Sequence, residues 1–522
     1  MTRRLLPRLG AGVSGFLLFT AFPPLEWSEA AWLALVPLLL ALRTAPPAEA
    51  ARLGFIAGVV FWLLSTCWMT HVTFFGWIAL ASYCAAYIAL FALFSARWLT
   101  RFGAARWSVN LLFMGFATAG WISLEWARSH LFTGFPWNTL AISQYAVAPL
   151  RQGAQWGGVY LISAVLVFFN AGIAITVLRY RDVGPRWGRN AHPELIAGFL
   201  GIAGLAAAGI QSVRTSSEET SPMHIGVVQT DIPQIDKWTD DTIPLIYERL
   251  ESLTKQIQSE EHLDLVVWPE TALPDDVRYS SDSFELIEDL VVDQVPILTG
   301  SMDFVVPEDD SGIRYFNSSF LFGTDGRIHG AYDKQHLVMF GEYIPFERAV
   351  PFLSAMTPNL ASFTAGTTST VFRLEPTGVP FASLICFEDT LPTLSRAAVR
   401  GGARLLINQT NDAWFEESAA PRQHMAHCVF RCVEHRVPAV RAANTGVSCF
   451  IDRFGTIQAE LTDESGRSYF HGALSHWVRV PKEDRPRTFY TRHGDIFACA
   501  CSILFGVMLL VLQLRKEPPQ ST

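Results

Sequence analysis

Three apolar runs in this chain end on a side chain that can do chemistry. Leu265-Val266-Val267-Trp268-Pro269-Glu270 delivers a carboxylate. Gly330-Ala331-Tyr332-Asp333-Lys334 delivers an ammonium, and Ala382-Ser383-Leu384-Ile385-Cys386 a thiol, after which Phe387-Glu388-Asp389 leads into a helix start. The ends of strands in α/β sheets are where ligand sites gather. A free thiol is mostly protonated at neutral pH, so a nearby base must take its proton before it attacks. Glu270 is the candidate base, and later the acid for the leaving group. Lys334 is a fixed positive charge that favours a thiolate and the oxyanion of a tetrahedral intermediate. The backbone N–H just after Cys386 is the natural second donor. The set contains no histidine, which excludes a papain-like pair. Taken singly, a cysteine at a strand end is more often packing, and a glutamate or lysine at a turn is solvated surface. The weight lies in the three together.

Such a trio needs a layered framework, and the sequence supplies one from about residue 222. Candidate strands run over 224–229, 263–268, 295–301, 316–322, 328–332, 381–385, 404–408, 438–442 and 447–452. Between them, 243–259, 284–293, 391–400 and 421–436 carry apolar residues at helical spacing. This alternation predicts an α/β sandwich. His424, His427 and His435 share one of these helices, which reads as a surface helix; no metal and no cofactor is implied.

The rest of the chain is of another kind. Half of the 522 residues are hydrophobic and only 17% are charged, with a mean hydropathy of +0.24. Apolar segments recur at about 5–22, 30–42, 54–72, 77–96, 109–127, 158–178, 195–211 and 493–514, most near the roughly 20 residues that cross a bilayer. The first is read as a retained span, since no small-residue cleavage site follows it. The second is short, and Phe22-Pro23-Pro24 links it to the first as a tight hairpin. Eight spans are predicted, dividing the chain into a seven-span bundle (1–215), an outer domain (216–490) and a last span with a short tail (491–522). Residues 1–215 hold 15 arginines and six acidic residues, a balance of +9, which leaves −17 for the remainder. An acidic domain of that kind excludes nucleic acid as the partner. The arginines gather on alternate loops: Arg3, Arg4 and Arg8, then Arg43 and Arg52, then Arg97, Arg101 and Arg106, then Arg179, Arg181, Arg186 and Arg189. By the positive-inside rule both termini are cytoplasmic and the acidic domain lies outside. Glu125 reads either as an intramembrane functional carboxylate or as an interfacial one paired with Arg128. Gly134-Phe135-Pro136-Trp137 reads as a re-entrant or interfacial loop.

Four further strings narrow the reading. WPE at 268–270, YDKQHLVMFGEYIPFE at 332–347, ICFED at 385–389 and NQTNDAWF at 408–415 resemble the carbon–nitrogen hydrolase (nitrilase) superfamily. With TGFPW at 133–137 and the spans, they resemble more closely its membrane-embedded branch, the apolipoprotein N-acyltransferase family. The likeness covers nearly the whole chain. It implies an α-β-β-α nitrilase-like sandwich beside the bundle, and it places the superfamily's Glu–Lys–Cys triad on Glu270, Lys334 and Cys386. It also implies supporting roles for Glu342, Tyr343, Phe387 and Glu388, and for Trp238 in IDKW. Met339 stands where a proline is usual and Phe387 where a tyrosine is common, and neither change removes a catalytic atom.

The activity so implied is a two-step acyl transfer in the bacterial inner membrane, with the catalytic domain in the periplasm. Cys386 takes an acyl chain from a phospholipid of the bilayer, and the N-terminal amine of a diacylglyceryl-cysteine apolipoprotein accepts it. The apolar segment 337–361 is expected to form a lid or arm for these lipids, with Met339, Phe340, Phe352 and Met356, joined by Trp414 of the NQTNDAWF string. Two other functions compete. A membrane-tethered amidase or nitrilase on a small C–N substrate needs the same triad but no apolar arm. A transporter or lipid-binding scaffold needs charges buried in the spans.

Overall fold

The computed structural model describes residues 2–104, 106–183, 192–217, 219–237, 239–260, 262–292, 294–307, 312–344, 362–482 and 486–514. They divide into two compact units. Met1–Ser216, Ser418–Ala426 and Thr488–Thr522 form the first; Ser217–Glu417 and His427–Arg487 form the second.

The first unit makes the chain a multi-pass membrane protein. Among the described residues, six of its helices are long and apolar enough to cross a bilayer: Pro47–Ser65, Phe74–Phe102, Trp107–Arg128, Ala154–Asp182, Pro193–Arg214 and Ile496–Leu514, with a shorter apolar helix at Leu5–Thr20. The second apolar segment departs from the expectation of eight continuous spans. It is broken into two 3₁₀ turns, Ser28–Trp32 and Leu42–Thr44, around a six-residue helix, Val36–Ala41. Pro37 has no N–H to give. The Leu35 and Leu38 N–H groups bond to Asn170 Oδ1 (2.9 Å) and Ser14 Oγ (2.8 Å), so side chains of other helices satisfy what a preceding turn would have. Small residues bring the long helices together. A Cβ on Gly54 would stand 2.5 Å from that of Ala92, and one on Gly58 2.6 Å from the Ala85 Cα.

Glu125 and Arg128 are both buried, and they clamp the loop that follows rather than each other. Arg128 donates to the Phe135 and Trp137 carbonyls (2.6 and 2.8 Å) and lies over the Trp62 ring. Glu125 Oε1 accepts from the Leu140 N–H at 2.7 Å. The two charges thus satisfy backbone groups that a bilayer would leave unpaired. Gln423 adds a second knot within this unit. Its Oε1 accepts from the indoles of Trp68 (3.1 Å) and Trp137 (2.8 Å), and its Nε2 donates to the carbonyls of Pro23 (2.9 Å) and Ser65 (3.1 Å). Its helix, Ala420–His435, is not the surface helix expected: His424, His427 and His435 are all buried.

The second unit is built on two six-stranded sheets. The strands are β1 (Thr220–Gln229), β2 (Leu265–Val267), β3 (Ile297–Val305), β4 (Arg314–Phe322), β5 (Ile328–Asp333), β6 (Phe372–Leu374), β7 (Val379–Ile385), β8 (Leu405–Thr410), β9 (Ala439–Ala443), β10 (Cys449–Ile451), β11 (Ile457–Glu460) and β12 (Gly472–Pro481). The sheet orders are β12-β1-β2-β3-β4-β5 and β11-β10-β9-β8-β7-β6. Alternation along each strand divides its side chains between two cores. Ile225, Val227, Leu265 and Val267 meet Phe381, Leu405, Ile407 and Val440 between the sheets. Val228, Val266, Trp268 and Phe320 face outward, against Ile246, Leu250, Ile287 and Leu290 of the helices Ile243–Glu260 and Ser281–Val291. The parallel strands β1-β2-β3 and β7-β8-β9 occupy the middle of each sheet, where both faces are covered. This is the nitrilase-like α-β-β-α sandwich.

Candidate active site

The carboxylate comes first in the chain. β2 is only three residues long, and Trp268-Pro269-Glu270 continues from it into a turn where Thr271 adopts a left-handed φ of +44°. The turn lies so close to β3 that only a glycine fits beneath it. A Cβ on Gly300 would stand 2.5 Å from the Pro269 oxygen and 2.8 Å from the Glu270 Cα. Gln409 ties this turn to the other sheet: its Nε2 donates to the Trp268 carbonyl at 2.7 Å, and its Oε1 accepts from the hydroxyls of Ser319 and Ser383.

Lys334 follows β5 and is held by its backbone. Its N–H donates to the Asn317 carbonyl (2.9 Å), and its carbonyl accepts from the Gly366 N–H (2.8 Å). The side chain is 1% exposed. Its Nζ lies 2.7 Å from Glu342 Oε1 and 3.4 Å from Glu270 Oε1. Asn317, on β4, donates its Nδ2 to the same two oxygens, at 2.8 Å to Glu270 and 3.2 Å to Glu342. Glu342 in turn is oriented by the Val338 N–H, which donates to its Oε2 at 2.8 Å.

Cys386 stands at the end of β7 with φ +53°, a conformation that few residues other than glycine adopt. Strain of that kind persists only where the surroundings impose it, and here two side chains do so. Asn408 Nδ2 donates to the carbonyls of Leu384 and Cys386, each at 3.1 Å. Arg441, fully buried, holds Asn408 Oδ1 at 2.6 Å, Asp412 Oδ2 at 2.6 Å and Asp389 Oδ2 at 3.1 Å. From the other side comes Glu388, completely buried. Its Oε2 accepts from the Ile385 N–H (2.8 Å), and its Oε1 from the N–H groups of Gln335 (2.7 Å) and His336 (3.0 Å); the Tyr332 hydroxyl reaches both oxygens. One carboxylate thus fixes the backbone just after Lys334 and just before Cys386.

The charges are interdependent. Burial pushes the Cys386 thiol well up; the Glu270 charge pushes it further, while Lys334 pulls it down. Burial works against the Lys334 ammonium, but the carboxylates of Glu342 and Glu270 outweigh it and hold the group charged. His336, beside Phe387 at a ring distance of 5.9 Å, is pulled down to about 4 by burial and by Lys334, and is neutral at physiological pH. At rest the site therefore holds a neutral thiol beside an ammonium shared by two carboxylates.

Replacing Glu388 by glutamine tests the shared anchor. A side-chain amide cannot accept at both positions, so either Ile385 or the Gln335–His336 pair faces an NH₂ group. Leaving buried donors unsatisfied should cost about 1–3 kcal/mol in denaturant unfolding. Misplacing the lysine and the thiol by an ångström should slow acylation of Cys386 by about 100-fold. Unchanged rates in E388Q would show that Glu388 positions neither group.

The residues singled out in the sequence thus fall into four sets. Glu270, Lys334 and Glu342 share one cluster, with Cys386 close enough that all three charges act on its thiol. Phe387 and Glu388 lie in the 3₁₀ turn Cys386–Thr390 that follows the thiol. Met339, Phe340 and Tyr343 belong to a tight turn closed by the Phe340 N–H on the Tyr343 carbonyl (2.8 Å), with Phe340 about half exposed, as is Trp414. Trp238, Phe352 and Met356 lie outside the described residues. Five residues that orient the site had no assigned role from sequence: Lys237, Asn317, Asn408, Gln409 and Arg441. Three of them carried a signal, since Asn408 and Gln409 open the NQTND string and Lys237 precedes the tryptophan of IDKW.

Comparison with known proteins gives the same picture from outside. Residues 14–172 match the family described as the apolipoprotein N-acyltransferase N-terminal domain, and residues 224–475 match the carbon-nitrogen hydrolase family. A protein of Geobacter metallireducens named apolipoprotein N-acyltransferase is 36% identical over 98% of this chain and 95% of its own length. Proteins of the same name from Brucella melitensis (31% identical, 88% of each chain) and Chlorobaculum tepidum (30%, over 97% of this chain and 96% of its own) are similar as well. With both halves matched in order and relatives covered almost end to end, the chain belongs to the apolipoprotein N-acyltransferase family.

Proposed function

We propose that this N-acyltransferase works by two successive displacements at Cys386. In the first, the thiol attacks the ester carbonyl of a membrane phospholipid while Glu270 takes its proton. Lys334 stabilises the oxyanion. Collapse breaks the ester C–O bond, Glu270 returns the proton to the departing alkoxide, and a lysophospholipid leaves a thioester behind. In the second, the N-terminal amine of a diacylglyceryl-cysteine apolipoprotein attacks the thioester and gives its proton to Glu270. Breaking the C–S bond yields the amide, and the proton returns to sulfur. The observation that carries this reading is the buried cluster in which Lys334 lies 3.4 Å from Glu270 and both charges act on the Cys386 thiol.

Both substrates are lipids, which accords with six apolar helices in the same chain. A small soluble C–N substrate would have no use for them, and the amidase reading falls behind for that reason. The alternation of arginine-rich loops supports cytoplasmic termini and a periplasmic catalytic domain. We place Met339, Phe340 and Trp414 at the lipid entrance.

The test is to incubate the purified protein with acyl-labelled phospholipid and map adducts by peptide mass spectrometry. The expected result is one acyl group on Cys386, released by neutral hydroxylamine and discharged by a diacylglyceryl-cysteine peptide. Acylation of that peptide with no adduct ever detectable on Cys386 would overturn the two-step reading.

A further inference from the structure

A second lysine approaches the turn that carries the proposed base, and the reaction as drawn above does not use it. Lys237 is 2% exposed, and its Nζ donates to the Thr271 hydroxyl at 2.8 Å and to the Glu270 carbonyl at 3.2 Å. These are the two residues of the turn after β2, the one whose Thr271 is left-handed and which only Gly300 admits beneath it. An ammonium is thus buried against the one strained turn that carries the proposed base.

We propose that Lys237 is a positioning residue for Glu270, which pins the Glu270–Thr271 turn and sets a positive charge beside the carboxylate. The inference rests on the reading of Glu270 as the base. Its logic begins with cost. A serine, asparagine or glutamine could donate to a hydroxyl and a carbonyl as well as a lysine can, without placing a charge out of reach of water. Burial pulls Lys237 down to about 8, and the Glu270 charge pulls it back up. The folded protein therefore holds this proton less tightly than the unfolded chain does. The charge costs stability at neutral pH, a cost that fades as the pH rises from about 8 and is gone above the ordinary lysine value. A charge kept at that cost next to a reacting group points to function.

Lys237 would also be the switch of the site on the alkaline side. Cys386 and Lys334 are both displaced upward and His336 is down at about 4, so none of them titrates near pH 8. Glu270 is the charged group that acts on Lys237 across the turn, and Asp236 is its neighbour in sequence.

The experiment follows lysophospholipid release in a single turnover of the full-length enzyme, from pH 6 to 10, for the wild type, K237Q and K237M. The wild-type rate should fall as the pH passes about 8 and level off about tenfold lower. K237Q keeps a donor without the charge, and should run at that lower level throughout, with no alkaline limb and an unchanged KM for phospholipid. K237M loses the donor too, and should be slower still. Should K237M fail to fold, K237Q carries the test alone. A K237Q enzyme with the wild-type rate and the wild-type limb overturns the proposal. So does a K237Q loss that appears in KM and leaves the limb in place. E270Q, run in parallel, separates the two claims. If it reacts as the wild type does, the reading of Glu270 has failed; if it is inactive while K237Q is normal, only the role of Lys237 has.

Discussion

Cys386→Ser will be a folded protein that forms no hydroxylamine-labile adduct with labelled phospholipid and acylates no lipoprotein peptide. Serine is close in size to cysteine, and the groups that hold the turn contact backbone: Asn408 reaches the Cys386 carbonyl and Glu388 the Ile385 N–H. The left-handed conformation of residue 386 is therefore kept by its neighbours, and the unfolding midpoint should move little. The chemistry will not survive. A hydroxyl is a far weaker acid than a thiol, and nothing in the cluster is basic enough to remove its proton at rest. Loss of a nucleophile that acts in concert with its base costs on the order of 10⁶ in rate. Any slow residual adduct would be an oxyester, which resists neutral hydroxylamine, so the chemical test separates the two. Cys428, Cys432 and Cys449 are buried and give an internal control. An adduct on one of them in the serine variant, with activity retained, would show that Cys386 is not the nucleophile.

How far this arrangement was legible in the sequence differs by element. The central strands could be read because each is a short apolar run that ends in a turn. β7 and β8 are buried on both faces, so their composition alone marks them. β12 was missed, although it pairs with β1 over ten residues. It lies at a sheet edge with most of its side chains half exposed, and Val478 and Val480, with the partly buried Leu474, turn inward while Trp477 and Arg479 are exposed. β6 and β11 are three and four residues long, below what periodicity can resolve. In the membrane unit, six of the expected segments are helices of spanning length, because apolar length is itself the signal. The second segment broke on contacts with Ser14 and Asn170, distant in sequence, and no local pattern announces such contacts. The site shows the same divide. Motif strings located Glu270, Lys334, Glu342, Cys386 and Glu388. The network that aims them was not legible: Arg441 looks like any charged residue until two buried carboxylates and Asn408 are seen around it. A pairing with Arg128 was one of the two readings open for Glu125. Each residue instead found a partner in the loop that follows, because backbone groups in a bilayer have no water to fall back on.

Glu270→Gln will separate activation of the thiol from its ionisation, because the two should move in opposite directions. The amide can keep its oxygen toward Lys334 and Asn317, the partners that Glu270 Oε1 now has at 3.4 and 2.8 Å. The fold and the cluster should therefore survive. Losing the proton acceptor should slow thioester formation by about 10²–10⁴. The effect on the resting thiol has the other sign. After burial, the Glu270 charge is the largest influence holding the Cys386 proton on, and Lys334 opposes it. Removing that negative charge lowers the thiol's pKa, so at any given pH more thiolate is present in E270Q than in the wild type. A small uncharged alkylating reagent, which needs only thiolate, should label Cys386 faster in the variant, while acyl transfer from phospholipid nearly stops. A standing thiolate–ammonium pair, held ready in the resting enzyme, predicts something else. There the wild type would already alkylate rapidly at neutral pH, and E270Q would change labelling little. If labelling and acyl transfer fall together, Glu270 merely holds the cysteine in place, and the base must be sought elsewhere. Faster labelling with failed transfer leaves one account standing, in which the carboxylate keeps the thiol protonated until a carbonyl arrives and then takes the proton as the C–S bond forms.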